Sequence, residues 1–102
     1  MSSTIVFVTF YGFDDDLRSV RKAMTGHGFR VLSYPLYRFA RDENDRLNDV
    51  VDHMNKFLAY TLPRVVIWFY ADIEPEQFLR IRQKNIDTPF VFCPHYDSEW
   101  KL

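Results

Sequence analysis

Two runs of apolar residues, almost free of polar interruption, constrain the fold of this 102-residue chain more than any other feature. They cover residues 5–11 and 65–71 and are dominated by β-branched and aromatic side chains. Such runs are typical of strands that are covered on both faces, as in a parallel sheet. The segments that follow them have helical spacing, so the sequence predicts strands that alternate with helices.

The first predicted helix follows the first strand. Apolar residues repeat at the spacing of one helical face between Leu17 and Met24, which predicts a stripe that packs on the sheet. Three aspartates at 14–16 precede this stripe, and we expect them to cap the helix and to complement its dipole. Gly26 or Gly28 is expected to end the helix, because glycine readily adopts the left-handed conformation.

Two further helices and three further strands complete the pattern. The predictions are a strand from Arg30 or Val31 to Pro35, a helix over 47–58 that ends before Pro63, the apolar strand at 65–71, a helix that begins at Pro75, and a strand over 89–93. Asn85 is expected to end the last helix in the left-handed conformation.

The sequence therefore predicts an α/β fold of the order β-α-β-α-β-α-β, with a four-stranded parallel sheet of Rossmann-like type and helices on both faces. Residues 1–102 form a single Rossmann-like domain in this interpretation. Right-handed crossovers leave few strand orders, of which 3-2-1-4 is favoured and 2-1-3-4 is the main alternative. Doubly wound domains usually have about five or six strands. We therefore expect the strand-four edge, or the face that a further helix would cover, to meet a second domain or a second copy.

Charge and composition exclude several classes of protein. Thirteen Lys and Arg against fourteen Asp and Glu give a net charge of -1, which predicts neither a nucleic-acid partner nor a membrane partner. The single Cys excludes an internal disulfide framework and suits a reducing compartment. The apolar runs are too short to span a bilayer, and the first residues lack the pattern of a signal peptide. We therefore expect a cytoplasmic location.

In open parallel sheets, ligands bind beyond the carboxyl ends of the strands, where the strand order reverses. Strands one and four are neighbours in the favoured order, so Tyr11 and Gly12 are expected to share a crevice with His95 and Asp97. The aromatic residues would stack on a ligand, Gly12 would allow close backbone approach, and His95 or Asp97 is the candidate catalytic base if a sugar acceptor binds. The predicted site residues are Tyr11, Gly12, Asp72, His95, Asp97 and Trp100.

Other motifs give less specific signals. The three aspartates after Gly12 do not suit a dinucleotide-binding loop, because carboxylates repel a pyrophosphate. The same aspartates and Asp72 resemble the acidic site of receiver domains, although the Ser or Thr and the Lys that receivers place after later strands are absent. Cys93 and His95 are two residues apart in a segment that is expected to be extended. Their side chains would therefore be about 6–7 Å apart, which is too far for a hydrogen bond between a nucleophile and its base. Cys93 is therefore expected to be a buried apolar residue, and no metal or cofactor is predicted.

Several short segments share a pattern with one known family. Residues 17–31 have its helix, Gly-His turn and strand, and residues 63–82 have its next strand and helix. The connector at 85–89 has Asn where the family has Gly, and residues 89–100 have a strand and an ending in which Tyr96-Asp97 replaces a pair of aspartates. Together these segments resemble the N-terminal domain of GT-B glycosyltransferases of the spore-maturation-protein type.

The resemblance implies an acceptor-side Rossmann-like domain, since that family holds the sugar nucleotide mainly on a second domain. The leading hypothesis is a binding module for a sugar or glycan acceptor, related to glycosyltransferases within a larger protein and not an enzyme as an isolated chain. One alternative is a structural or interaction protein that uses its sheet edge and C-terminal tail as an interface. The other is a degenerate receiver-like signalling module.

Overall fold

The computed structural model describes residues 2–9, 17–40, 49–69 and 73–93. The elements in chain order are β1 (Thr4–Thr9), α1 (Arg18–Gly26), β2 (Arg30–Pro35), α2 (Leu36–Ala40), α3 (Val51–Thr61), β3 (Val65–Phe69), α4 (Pro75–Lys84) and β4 (Phe90–Cys93). The α/β class and the four parallel strands are as predicted. The short helix α2 was not predicted, since the residues after Pro35 carry no clear helical period.

The order of the strands in the sheet is β2-β1-β3-β4. The favoured order 3-2-1-4 is therefore wrong, and the alternative 2-1-3-4 is confirmed. Strand β1 pairs with β2 on one side and with β3 on the other, all in parallel. The connection from β2 to β3 passes over β1 on the face opposite α1, so β3 inserts between β1 and β4 and takes an interior position.

Alternate residues of the strands build two cores, one on each face of the sheet. Val6 and Val8 of β1 belong to the larger core, which contains residues of α3 and α4 such as Met54 and Ile81. Phe7 points to the opposite face, where the smaller core lies beneath α1. Helices therefore cover both faces, as predicted, but α1 is the one helix on its side among the described residues.

Two helix ends differ from the sequence-based expectations. Asn85 follows α4 with a φ of -126°, so it is not in the left-handed conformation. It ends the helix with its side chain instead: its Nδ2 donates to the carbonyl of Ile81 at 2.8 Å and to Oδ1 of Asn55 at 2.9 Å. The left-handed position belongs to Leu62, with a φ of 48°, directly before the proline that was expected to end α3.

The first helix begins at Arg18. Its N-cap is Leu17, whose own side chain forms no capping hydrogen bond. The aspartates at 14–16 lie outside the described residues, so their predicted capping role stays a prediction. Gly28 follows the helix with a positive φ of 89°, as one of the two glycines was expected to do. None of the helices in the described ranges is long and apolar enough to cross a membrane.

Candidate functional site

The carboxyl ends of β1 and β3 lie side by side in the middle of the sheet. Strand β2 pairs with β1 on one side, and β3, the next strand in the sequence, pairs with β1 on its other side. This is the point at which the strand order reverses, and ligands of open α/β sheets bind beyond the carboxyl ends of the strands at such a point. The observed order therefore moves the expected crevice from the β1–β4 pair to the β1–β3 pair.

Thr9 is the last residue of β1 and carries an unusual hydroxyl. Its side chain is 1% exposed, and its Oγ1 has no hydrogen-bond partner. It is the one buried side-chain oxygen or nitrogen atom of the described residues that lacks a partner. A buried polar group without a partner costs about 1–3 kcal/mol of stability. The hydroxyl therefore lies where a polar ligand group would recover that free energy.

The neighbour of Thr9 on the other side is Pro35 of β2. Because the N–H of Arg30 donates to the carbonyl of Ser3, the nitrogen of Pro35 faces the outer edge of β2, where proline interrupts no ladder bond to β1. Thr9 alternates with Phe7 along β1 and so lies on the same face, the face beneath α1. The unpartnered hydroxyl is thus placed at the switch point, on the side where α1 begins.

The start of α1 is electropositive. Its first turn contains no acidic residue, and Arg18 and Arg21 lie in its first four positions. Arg21 reaches back over the sheet: its guanidinium lies 5.2 Å from the centre of the Phe7 ring and donates to the hydroxyl of Ser33. The helix dipole adds positive potential at the same end. Among the described residues, the positive charges at this end of α1 belong to Arg18 and Arg21.

A second polar cluster joins β2 to α3. The hydroxyl of Tyr34 lies 2.8 Å from Nδ1 of His53, and the His53 ring packs 4.1 Å from the ring of Phe39. Tyr34 is 1% exposed, and burial raises its pKa above the ordinary value. His53 lies off the apolar stripe of α3 and is exposed. Its bond to Tyr34 has no signature in the sequence, because the two residues are 19 positions apart.

Helices α3 and α4 enclose an open groove of about 450 Å³ with a mixed polar lining. Arg80 bridges its rim, 2.8 Å from Asp49 and 3.4 Å from Glu76. The backbone N–H of Val51 and the Arg80 guanidinium together lower the pKa of Asp49. The Arg80 side chain is about half exposed. The groove is also lined by the charged side chains of Asp52 and Lys84.

All six predicted site residues lie outside the described residues: Tyr11, Gly12, Asp72, His95, Asp97 and Trp100. Their grouping in one crevice stays a prediction, but one premise of it is wrong. Strand β3 separates β1 from β4, so the ends of those two strands are about 10 Å apart. In the sequence, Tyr11, Gly12 and Asp72 follow the two adjacent strands, whereas His95 and Asp97 follow the edge strand.

Cys93 ends β4 and is half-buried. Burial raises the pKa of its thiol, which disfavours the thiolate that nucleophilic catalysis needs. This agrees with the prediction of an apolar role. Within the described ranges, no group of three His, Cys, Asp or Glu side chains is placed to hold a metal ion.

No family model matches the chain, and neither the curated proteins nor the solved structures contain a significant match. The candidate site therefore rests on the strand order and on the buried, unpartnered hydroxyl of Thr9.

Proposed function

We propose that this chain is a Rossmann-like binding module whose ligand lies beyond the carboxyl ends of β1 and β3. The unpartnered, buried hydroxyl of Thr9 is the observation that supports the proposal most directly. A free hydroxyl at a switch point is ready to donate to or accept from a polar ligand group. The setting is cytoplasmic in this proposal, with neither nucleic acid nor a membrane as partner.

A sugar or glycan acceptor is the proposed ligand class. Sugars present many neutral hydroxyl groups, which suit the Thr9 hydroxyl and the aromatic residues that follow β1 in the sequence. The resemblance to the acceptor-side domain of GT-B glycosyltransferases supports the same class. Catalysis would need a second domain to hold the sugar nucleotide, with His95 or Asp97 as the proposed base, so the isolated chain is proposed to bind without transferring sugar.

The strand order favours a second candidate, the receiver-like signalling module. Because β1 and β3 are neighbours, the aspartates at 14–16 and Asp72 follow adjacent strands, as the acidic residues of receivers do. Fold analogy alone supports this candidate, since β4 is followed by Pro94 where receivers carry Ser or Thr. It is therefore ranked below the sugar-binding module.

One titration tests both candidates. The ¹⁵N-labelled chain is titrated with simple glycans, with nucleotide sugars, and with magnesium plus beryllofluoride, while amide chemical shifts are recorded. We expect the glycans to shift the amides of Thr9 and Phe69 and to leave those at the amino ends of the strands unchanged. Shifts with beryllofluoride alone would favour the receiver-like module, and no shift at these two residues in any arm would contradict the proposed site.

Thr9→Val is the variant that isolates the hydroxyl. It should weaken glycan binding about 10-fold, because one hydrogen bond of typical strength is lost. It should also raise the free energy of unfolding of the ligand-free chain by about 1–2 kcal/mol, since the buried hydroxyl then no longer lacks a partner. Thr4→Val, at the opposite end of the same strand and also buried, is the matched control and should leave binding unchanged.

Equal binding by the two threonine variants would contradict a role for Thr9. A fall in stability of Thr9→Val, measured by urea unfolding, would show that its hydroxyl already has a partner in the ligand-free chain.

A further inference from the structure

Among the described strands, β4 forms one edge of the sheet. It pairs with β3 alone among the described strands. The carbonyl of Pro89 accepts from the N–H of Val66 at 3.0 Å, so every second residue from Pro89 also faces β3. The N–H and C=O groups of Phe90 and Phe92 therefore point outward, ready to pair with another strand.

Apolar side chains are exposed on both faces of this edge. Val91 is 47% exposed on the α1 face, and Phe92 is 53% exposed on the opposite face. On that second face, Leu79 of α4 is 58% exposed and Ile86, just after α4, is 72% exposed. A covering helix would shield one face only, whereas an added strand extends both faces at once.

The other edge of the sheet provides a contrast within the same molecule. Strand β2 begins with the exposed Arg30 and ends with Pro35, and none of its large apolar side chains is exposed. Charges and prolines on an edge strand are the usual protection against pairing with another chain. The segment 88–93 has no charged residue. Within the described ranges, the β2 edge is thus protected and the β4 edge is open.

The sequence of the open edge suits a second copy of the chain. Phe90-Val91-Phe92 is the same in both directions, so an antiparallel copy presents identical residues to it. We propose that two copies of this chain pair through β4 in antiparallel orientation and form one continuous eight-stranded sheet. This goes beyond the ligand site at β1 and β3 and does not depend on it.

The outward groups determine the register of the pair. Phe90 and Phe92 each carry an outward N–H and C=O. In the antiparallel pair, Phe90 of one copy therefore forms a hydrogen-bonded pair with Phe92 of the other copy. The twofold axis then passes between Val91 and the partner's Val91, which form a non-hydrogen-bonded pair about 4.5 Å apart at Cα. Valine meets valine on one face, and phenylalanine meets phenylalanine on the other.

The helices on the shared face are complementary in charge. A twofold axis perpendicular to the sheet places both α4 helices on one face in antiparallel orientation. The first turn of α4 carries Glu76, and its last turn carries Arg82 and Lys84. The acidic start of one helix therefore lies toward the basic end of the other.

Charge substitution at the axis tests the proposal directly. Sedimentation equilibrium of the full chain should give a dimer. Val91→Lys and Val91→Glu should each give a monomer, because two like charges would face each other across the axis. An equimolar mixture of the two variants should restore a dimer. Val20→Lys, on α1 away from the edge, is the matched control and should stay dimeric.

A cross-link tests the register independently. In a Cys93→Ser background, Val91→Cys should form an intermolecular disulfide under mild oxidation, because the Cα separation of the proposed pair falls within the range that disulfides span. Val20→Cys in the same background should not. A wild-type monomer, a dimer that persists in both charged variants, or the absence of the Val91→Cys cross-link would overturn the proposal. Circular dichroism of each variant verifies that it is folded.

Discussion

Tyr34 links β2 to α3 through one buried hydroxyl. Its ring packs 5.0 Å from Phe39 and 5.2 Å from Phe57, and its hydroxyl bonds His53 at 2.8 Å. The hydrophobic pattern of β2 alone does not reveal this arrangement, because the amphipathic side chain of a tyrosine directly before the last residue of a strand suits the surface as well as the core. At the scale of single residues, the sequence identifies the apolar ring but not the partner of its polar end.

The raised pKa of Tyr34 predicts a loss of stability in alkali. The ordinary pKa is 10.0, and burial raises it in the folded chain. Above pH 10 the unfolded chain therefore loses this proton while the folded chain retains it, so the free energy of unfolding falls by about 1.4 kcal/mol per pH unit until the folded pKa is reached. Urea unfolding at a series of pH values measures this slope.

Tyr34→Phe should remove the contribution of Tyr34 to the alkaline slope of the free energy of unfolding. It should also lower that free energy near pH 7 by about 0.5–1.5 kcal/mol, because the hydrogen bond to His53 is lost. Tyr60→Phe is the control, because Tyr60 is 89% exposed whereas Tyr34 is buried. An equal alkaline slope in the wild type and in Tyr34→Phe would contradict the assignment.

At the scale of elements, helix α3 shows how an end is made without glycine. The N–H of Leu62 donates to the carbonyl of Leu58 at 2.9 Å. Leu62 itself is in the left-handed conformation, with a φ of 48°. A left-handed conformation costs a residue with a Cβ about 1–2 kcal/mol. The proline at position 63 predicted where the helix ends, but a leucine in this conformation has no signature in the sequence.

Leu62→Gly should stabilise the chain. The side chain is 68% exposed, so little apolar burial is lost, and glycine adopts the left-handed conformation without strain. We expect the free energy of unfolding to rise by about 0.5–1 kcal/mol in chemical denaturation, the strain relieved exceeding the added entropy of the unfolded chain. Ala59→Gly, in the same helix and exposed, is the control and should lower it by about 0.5–1 kcal/mol. A fall in stability of Leu62→Gly would contradict the strain at this residue.

At the scale of the whole molecule, the sequence predicted the class of fold but not the arrangement of the strands. Continuous apolar runs are enough to predict parallel strands, and the helical periods between them predict the alternation. Two signals for the order were also present: the most apolar runs are β1 and β3, which are the interior strands, and β2 carries the Arg30 and Pro35 of an edge. The lack of a partner for Thr9 could not be predicted, since it depends on burial and on what surrounds the hydroxyl in three dimensions.

The proposed eight-stranded sheet makes thermal stability a function of concentration. If the folded chain is a dimer and the unfolded chain a monomer, mass action stabilises the folded state as the concentration rises. Each tenfold increase adds about 0.7 kcal/mol per chain, half of the free energy of a tenfold change in an equilibrium constant, which corresponds to a rise in Tm of about 3 °C for a chain of this size. Differential scanning calorimetry over a hundredfold range should therefore show a rise of about 6 °C for the wild type and for Val20→Lys. The monomeric Val91→Lys should have a Tm independent of concentration, and a constant Tm for the wild type would contradict a stable dimer.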